Sequence, residues 1–316
     1  MSQGAKRSVL IVIGLALIAL VAWRDLKPIG DDVLRASWSL LLIVPLHLVQ
    51  LFFSGLAWRC LIKAQAPSRL TMFCIRWIRE AVNSLLPLAQ IGGMLVSIRL
   101  AAQRGISVAA ATASTTLDTL TEAVGHLAFI LLSLTLLMLS GHTSPVTVWI
   151  TEGVVLVAIG LGALYAAQSR GWLWRLEATI VRLGQRFPVL HLQSLHGLDR
   201  EMKQMLQDRR RAMDAIGLHF ISWILGAGEV FVVLWAIGVP VDLKEALIIE
   251  SLGTAARSIG FVIPGGLGVQ EGGFVLVCGL FGIHADAAVA LSMVKRLREV
   301  VAGVPGLLLW QRAELK

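Results

Sequence analysis

Five runs of this chain, Trp38–Trp58, Leu117–Leu139, Val146–Ala167, Ile216–Val239 and Ala287–Trp310, each hold more than twenty predominantly apolar residues. A helix needs about 20 such residues to cross a ~30 Å hydrocarbon core, and only helices and closed barrels satisfy their own backbone polar groups there. A sixth, shorter run, Val9–Trp23, follows Lys6 and Arg7 and has the outline of a secretory signal. No small-x-small cleavage site follows it, so it reads as a retained first span, short enough to need snorkelling flanks. Only 15% of the 316 residues are charged, against about 25% in soluble domains. The expected fold is an all-α polytopic membrane protein with about six full spans in a single membrane domain, residues 1–316.

Two further apolar segments are broken. Glu80–Leu100 contains Pro87, Gly92 and Gly93, and Thr254–Gly282 contains Pro264, Gly265, Gly266, Gly268, Gly272 and Gly273. Proline lacks a backbone donor and glycine weakens a helix, so neither segment is expected to remain helical throughout. Non-helical backbone at membrane depth must face protein or a wet cavity, which makes both segments candidate re-entrant elements.

Basic residues set the expected direction. With the N-terminus inside, 20 of the 28 lysines and arginines fall on the cytoplasmic side, including Arg59 to Arg79, nine in the Arg170–Arg211 loop and those at the C-terminus. The opposite loops hold only Arg24, Lys27, Arg35 and Lys244. Both termini are then cytoplasmic in a bacterial inner membrane, and the two broken segments enter from opposite faces. The basic region 168–214 reads either as an ordinary positive-inside loop or as an interfacial helix touching anionic headgroups. Nucleic acid is not an expected partner despite the net charge of +8, because the bases sit where topology needs them.

An offset of 177 residues aligns Pro87 with Pro264, Gly105-Ile106 with Gly282-Ile283, Glu122 with Glu299 and Trp58 with Trp235. This reads as an inverted repeat, with one unit over about 37–140 and the other over about 214–312. Asp118, Glu122 and His126 recur every four residues and share one helix stripe; Lys295 and Glu299 occupy the matched positions in the last span, beside Arg296 and Arg298. Ionised groups in hydrocarbon cost at least ~2.5–3.5 kcal/mol each, so they should face the bundle interior. Two readings stay open: a structural ion-pair network, or a wet cavity in which Arg296, Arg298 and Arg257 bind an anionic lipid headgroup. His47 and Glu229 are expected to be satisfied by neighbouring helices.

The Gly-rich stretch from Pro264 to Gly273 lacks the lysine of a phosphate loop and reads instead as an unwound turn with Glu271 at its tip. Asn83 and Gln90 would line the matching turn of the other unit. No ligand spacing for a metal is present, no cofactor is expected, and Cys60, Cys74 and Cys278 read as small buried residues.

The residues Ile78-Arg79-Glu80-Ala81-Val82-Asn83-Ser84-Leu85-Leu86-Pro87, then Gln90-Ile91-Gly92-Gly93, and later Ile263 to Gly273, resemble the lysylphosphatidylglycerol synthase transmembrane family, also called flippase-like. Both motifs are most similar to its hopanoid-biosynthesis-associated branch. The resemblance implies a lipid-translocation domain; the aminoacyl-transfer domain that some members carry has no room here, so synthase activity is not expected. Where the family pattern commonly has Glu after the first Gly-Gly pair, this chain has Met94, while Glu271 is kept in the second motif.

The expected function is therefore a flippase for a hopanoid or anionic phospholipid, with a polyprenyl-phosphate carrier as an alternative substrate. Its transport residues would be Asn83, Gln90, Asp118, Glu122, Arg257, Glu271, Lys295, Arg296, Arg298 and Glu299. A non-transporting partner or subunit of lipid-biosynthesis enzymes is the rival reading. An enzyme would need a nucleophile or metal set near Glu122 and Glu299, and none stands out.

Overall fold

The computed structural model describes residues 32–62, 66–86, 91–140, 197–259 and 268–314. The expected spans Val9–Trp23 and Val146–Ala167, and Pro87, Gln90 and Pro264, lie outside these residues; of Arg257 only the backbone, on a helix, is described. All regular structure among the described residues is helical. In chain order the helices are α1 (Leu40–Leu61), α2 (Arg69–Leu85), α3 (Ile91–Ala102), α4 (Val108–Leu139), α5 (Leu198–Gln207), α6 (Arg209–Ile237), α7 (Leu243–Ile259), α8 (Val269–Leu280) and α9 (Ala285–Glu314).

Among the described residues, three helical stretches are long and apolar enough to cross a membrane: Asp32–Leu61, which ends in α1, α4 with 32 residues, and α6 with 29. The fourth expected span in the described set is α9, 30 residues long with Pro305 inside and four charged residues between 295 and 299 at its centre. Helix α4 begins nine residues before the expected Leu117. Its first turns are Ala, Ser and Thr, whose hydroxyls bond back to carbonyls of the preceding turn, as Thr112 does to Val108 and Thr115 to Ala111. A hydropathy reading undervalues such residues, yet each polar group is satisfied inside the helix. Ser107 caps the start by accepting from Ala110 N–H.

The described parts of the two expected broken segments are the helices α2 and α3 in one and α7 and α8 in the other. Leu86 after α2 is extended and Gly268 before α8 has φ 82°, whereas Gly92, Gly93, Gly272 and Gly273, expected to weaken the helix, lie inside α3 and α8, where backbone hydrogen bonding is kept. The outer arms begin earlier than expected, at Arg69 and Leu243. At ~1.5 Å per residue the 17 residues of α2 and the 12 of α3 extend only about 25 Å and 18 Å, so neither spans a core alone.

The first four helices and the last four follow the same order of long, short, short, long. Adding 177 to α3 gives 268–279, against Val269–Leu280 for α8; adding it to the start of α4 gives 285, the first residue of α9. The turns agree in detail. Gly105 and Gly282 both take positive φ, 89° and 70°. Ile106 N–H bonds to Ala101 O and Ile283 N–H to Cys278 O, again 177 apart at both ends. Trp58 and Trp235, by contrast, do not share surroundings: the first is fully buried and donates to Ser114, the second is exposed against Trp38.

Packing follows the same exchange. Helices α1 and α6 form the central contact; α2 lies on α9 as α7 lies on α4, and α2 on α3 as α7 on α8. Contacts of α1 with α6 run Ser54 to Ser222, Gln50 to Glu229 and His47 to Glu229, rising in one helix as they fall in the other, so the two run antiparallel. Small residues permit the approach of α9 to α2, where a Cβ on Gly303 or Gly306 would fall 2.6 Å from Leu85 or 2.7 Å from Ala81.

Helix α5 lies in the expected 168–214 loop region and buries Leu198, Met202 and Met205 against Leu61, Leu117 and Ala215. Its apolar side therefore faces protein. Helix α6 starts at Arg209, seven residues ahead of the expected span, capped by Asp208, which accepts from Arg211 N–H.

Candidate functional site

Among the described residues, two clusters of ionised side chains sit inside the helical bundle. In the first, Asp118 of α4 is wholly buried and accepts from Arg79 of α2 at 2.7 Å, from Arg76 at 3.5 Å, and pairs with His219 Nε2 of α6 at 3.0 Å. Arg76 also binds Glu122, one turn along α4, and Arg79 donates to Thr119 at 2.9 Å. The stripe expected on α4 exists, but its third member diverges: His126 stacks on Trp223 at 4.0 Å and meets Thr254 of α7 at 3.2 Å.

In the second cluster Glu229 of α6, also wholly buried, binds Arg298 of α9, accepts from Gln50 of α1 at 2.7 Å and lies 3.3 Å from Lys295. Lys295 donates to Glu250 of α7 at 2.5 Å. Each cluster joins three or more helices; the first sets two bases against two acids, and in the second Arg298 also lies 3.7 Å from a third acid, Glu299. Removing a single partner from such a set leaves an uncompensated buried charge, which typically costs ~3–5 kcal/mol.

The two hairpin breaks are tied differently. Asn83 Oδ1 accepts from Gly93 N–H at 3.0 Å, joining α2 to α3 across the interruption. A Cβ on Gly93 would lie 2.4 Å from both Arg79 O and Asn83 Oδ1, so the closure needs glycine there. In the second hairpin Glu271 accepts from Gly268 N–H at 2.7 Å at the start of α8, and also binds Arg296 of α9. Ser292 Oγ lies 3.4 Å from the same carboxylate.

Of the residues expected to act in transport, the structure groups Asp118 with Glu122 and, separately, Lys295 with Arg298, with Glu299 3.7 Å from Arg298. Arg296 faces Glu271 rather than Glu229. Asp118 and Lys295, which match at the 177 offset, lie in different clusters. Sequence reading missed Arg76 and Arg79 as members, counting them among the cytoplasmic bases; they are 4% and 6% exposed and are neutralised by Asp118 and Glu122. The signal was available in their spacing of three, which puts both on one face of α2. Glu250, a lone acid in an apolar run, was also missed. Glu229 is met by neighbouring helices, as expected; His47 lies 3.5 Å from Glu229 but its Nδ1 is buried without a hydrogen bond, because that oxygen already receives Gln50.

A small recess opens between α1, α2 and α9, lined by His47, Trp77, Glu80, Ser84, Glu299 and Gly303 among others, with room for about one water.

Comparison with known proteins agrees with this architecture. Residues 8–306 match the family model described as lysylphosphatidylglycerol synthase TM region. Two proteins named UPF0104 membrane protein, both from Methanothermobacter thermautotrophicus, are 25% identical to this chain. One aligns over 309 residues, covering 92% of this chain and 90% of its own, and the other over 297 residues, covering 86% and 83%. No solved structure matches. With several apolar helices and a match over nearly its whole length, this multi-pass membrane protein belongs to the lysylphosphatidylglycerol synthase TM region family.

Proposed function

We propose that the protein is a lipid transporter of two inverted four-helix halves, which moves a hopanoid or an anionic phospholipid, or as an alternative a polyprenyl phosphate, across the inner membrane. The observation that carries this reading is the antiparallel pairing of α1 with α6, helices that hold equivalent places in the two series. Two like units turned opposite ways can exchange conformations, so that a path open to one face becomes open to the other. The interrupted hairpins and the central ion clusters are the parts that such an exchange would move. Both termini are cytoplasmic in this reading. Taking Arg76 and Arg79 out of the loop count still leaves 18 of 28 basic residues on that side.

Purified protein in proteoliposomes should move at least one of three labelled lipids, a hopanoid, an anionic phospholipid or a polyprenyl phosphate, faster than empty vesicles do. No movement of any of them overturns the reading.

A second reading is favoured by the closed centre, where Arg76, Arg79, Lys295, Arg296 and Arg298 all face acids and the recess has room for about one water. It makes the protein a non-transporting partner of lipid-biosynthesis enzymes. Glu271→Gln would then leave cellular function intact, whereas a transporter would lose rate.

A further inference from the structure

The two ends of the central helix pair mark the two faces of the membrane. At one end Trp38 and Trp235, both exposed, meet edge to face with ring centroids 5.6 Å apart. Tryptophan gathers at the boundary between hydrocarbon and water. At ~1.5 Å per residue, Arg59 stands about 32 Å along α1 from Trp38, and Met213 about 33 Å along α6 from Trp235. A hydrocarbon core is ~30 Å thick, so Arg59 and Met213 stand at the second boundary. Backbone and bases interlock at this level: Arg59 donates to Pro67 O at 2.8 Å and Arg211 to Ile62 O at 3.3 Å.

The corner between α5 and α6 therefore lies at headgroup depth. Helix α5 turns Leu198, Met202 and Met205 onto protein and leaves Arg200 exposed on its outer side. Helix α6 opens with Arg209, Arg210 and Arg211 in its first turn, where the helix macrodipole favours acids. Asp208 caps this helix and pairs with Arg211 at 3.1 Å, so one of the three arginines is answered. Among the described residues the side chains of Arg200, Arg209 and Arg210 make no ion pair or hydrogen bond, and Asp214, exposed one turn on, pairs with none of them. Met213 follows Arg209 by four residues and Arg210 by three, so it shares their side of the helix, and it is 64% exposed. Arg69 and Leu70, both exposed at the start of α2, repeat the combination of free base and bare apolar side chain at the same end.

We propose that the α5–α6 corner is a docking surface for the anionic phospholipids of the adjoining leaflet, whose phosphates take Arg209 and Arg210, with Arg200 at the flank, while their acyl chains cover Met213. A soluble anion would answer the arginines and leave Met213 in water. A lipid answers both, and its charge offsets the unfavourable placing of bases at a helix start. The surface requires only that the chain crosses the membrane; it does not depend on the transport reading.

Hydrogen exchange of the full-length protein in nanodiscs tests the surface. Exchange over residues 198–213 should slow about fivefold or more when phosphatidylcholine discs are replaced by discs of about one-third phosphatidylglycerol, since each base at a membrane surface is worth about that factor. Helix α7 should show no such difference, and about 0.5 M sodium chloride should abolish it at the corner. The double variant Arg209→Gln, Arg210→Gln should exchange alike in both lipids, whereas Arg209→Lys, Arg210→Lys should keep most of the difference. If the glutamine variant fails to fold, the salt response of the wild type decides. Equal exchange of the wild type in the two lipids overturns the proposal, as does a difference that survives salt or the glutamine substitutions, or one that extends equally over α7. Equal protection by about 10 mM inorganic phosphate in phosphatidylcholine discs would mark a site for a free anion and overturns the lipid surface too.

Discussion

In the cluster around Asp118 the short helix α2 brings the bases and the long helix α4 the acids. In the cluster around Glu229 the short helix α7 brings an acid and the long helix α9 the bases. Helices α2 and α7 are equivalent in the two series, as are α4 and α9, and each cluster takes one histidine from the central pair, His219 of α6 or His47 of α1. At the level of short and long helices the sign is exchanged, although Glu229, the acid that binds Arg298, comes from α6, and the α9 residue matching Glu122 is again an acid, Glu299. Coulomb attraction is indifferent to which partner carries which charge, so a helix-to-helix tie survives the swap. A pocket for an anionic headgroup would not survive it. The difference teaches that the paired charges tie helices within each half, α2 to α4 in one and α9 to α6 and α7 in the other, while His219, His47 and Gln50 are the groups that reach across to the opposite half.

The strongest test breaks each tie at its most buried acid. Asp118→Ala strands Arg79 and part of Arg76; Glu229→Ala strands Arg298 and removes a partner of Lys295. Each should cost ~3–5 kcal/mol, read as a lowered midpoint of thermal unfolding in detergent. If one variant is near wild type while the other is not, the two clusters are not equivalent ties. A sharper test imitates the natural exchange within one cluster. Glu250→Lys and Lys295→Glu should each destabilise strongly, and the double variant should recover ~1–3 kcal/mol as a coupling energy. Purely additive losses would mean that the signs are fixed by something other than the pair.

The contrast between the clusters also explains what could be read from the chain alone. The described spans were legible because about twenty apolar residues in a row leave few alternatives; glycine was a poorer guide, since Gly92, Gly93, Gly272 and Gly273 lie inside helices. The spacing of 177 was legible because turn glycines such as Gly105 and Gly282 must keep a positive φ. Ion partners were less so. Arg76 lies 42 residues from Asp118 and Glu229 lies 69 from Arg298, separations at which pairing is set by helix packing. A basic residue near a span end, such as Arg79, looks identical whether it is solvated or buried against an acid on another helix.

Hairpin closure gives a smaller effect and compares the two breaks. Asn83→Ala removes the acceptor for Gly93 N–H and leaves a half-buried donor, at a cost of ~1–3 kcal/mol. Glu271→Gln leaves an amide oxygen to accept from Gly268 N–H but removes the charge that meets Arg296, so its cost should fall in the same range. Hydrogen exchange should show Asn83→Ala loosening α3 and Glu271→Gln loosening α8. Loosening that spreads evenly over both hairpins would show that they are not separately closed.

The smallest effect belongs to a pair that resembles the clusters only in its chemistry. Arg99 of α3 donates to Glu314 of α9 at 2.8 Å, a shorter contact than that between Arg76 and Asp118, yet the Arg99 side chain is 55% exposed. Water solvates the Arg99 end of the pair, and Glu314, though its side chain is 9% exposed, also accepts from the Trp310 indole N–H at 3.3 Å, so neither charge is left stranded once the pair is broken. Arg99→Ala should therefore cost only ~0–1 kcal/mol and should shrink further as ionic strength rises. A loss approaching that of Asp118→Ala would mean that distance decides the worth of an ion pair in this protein; the ranking argued above holds only if burial does.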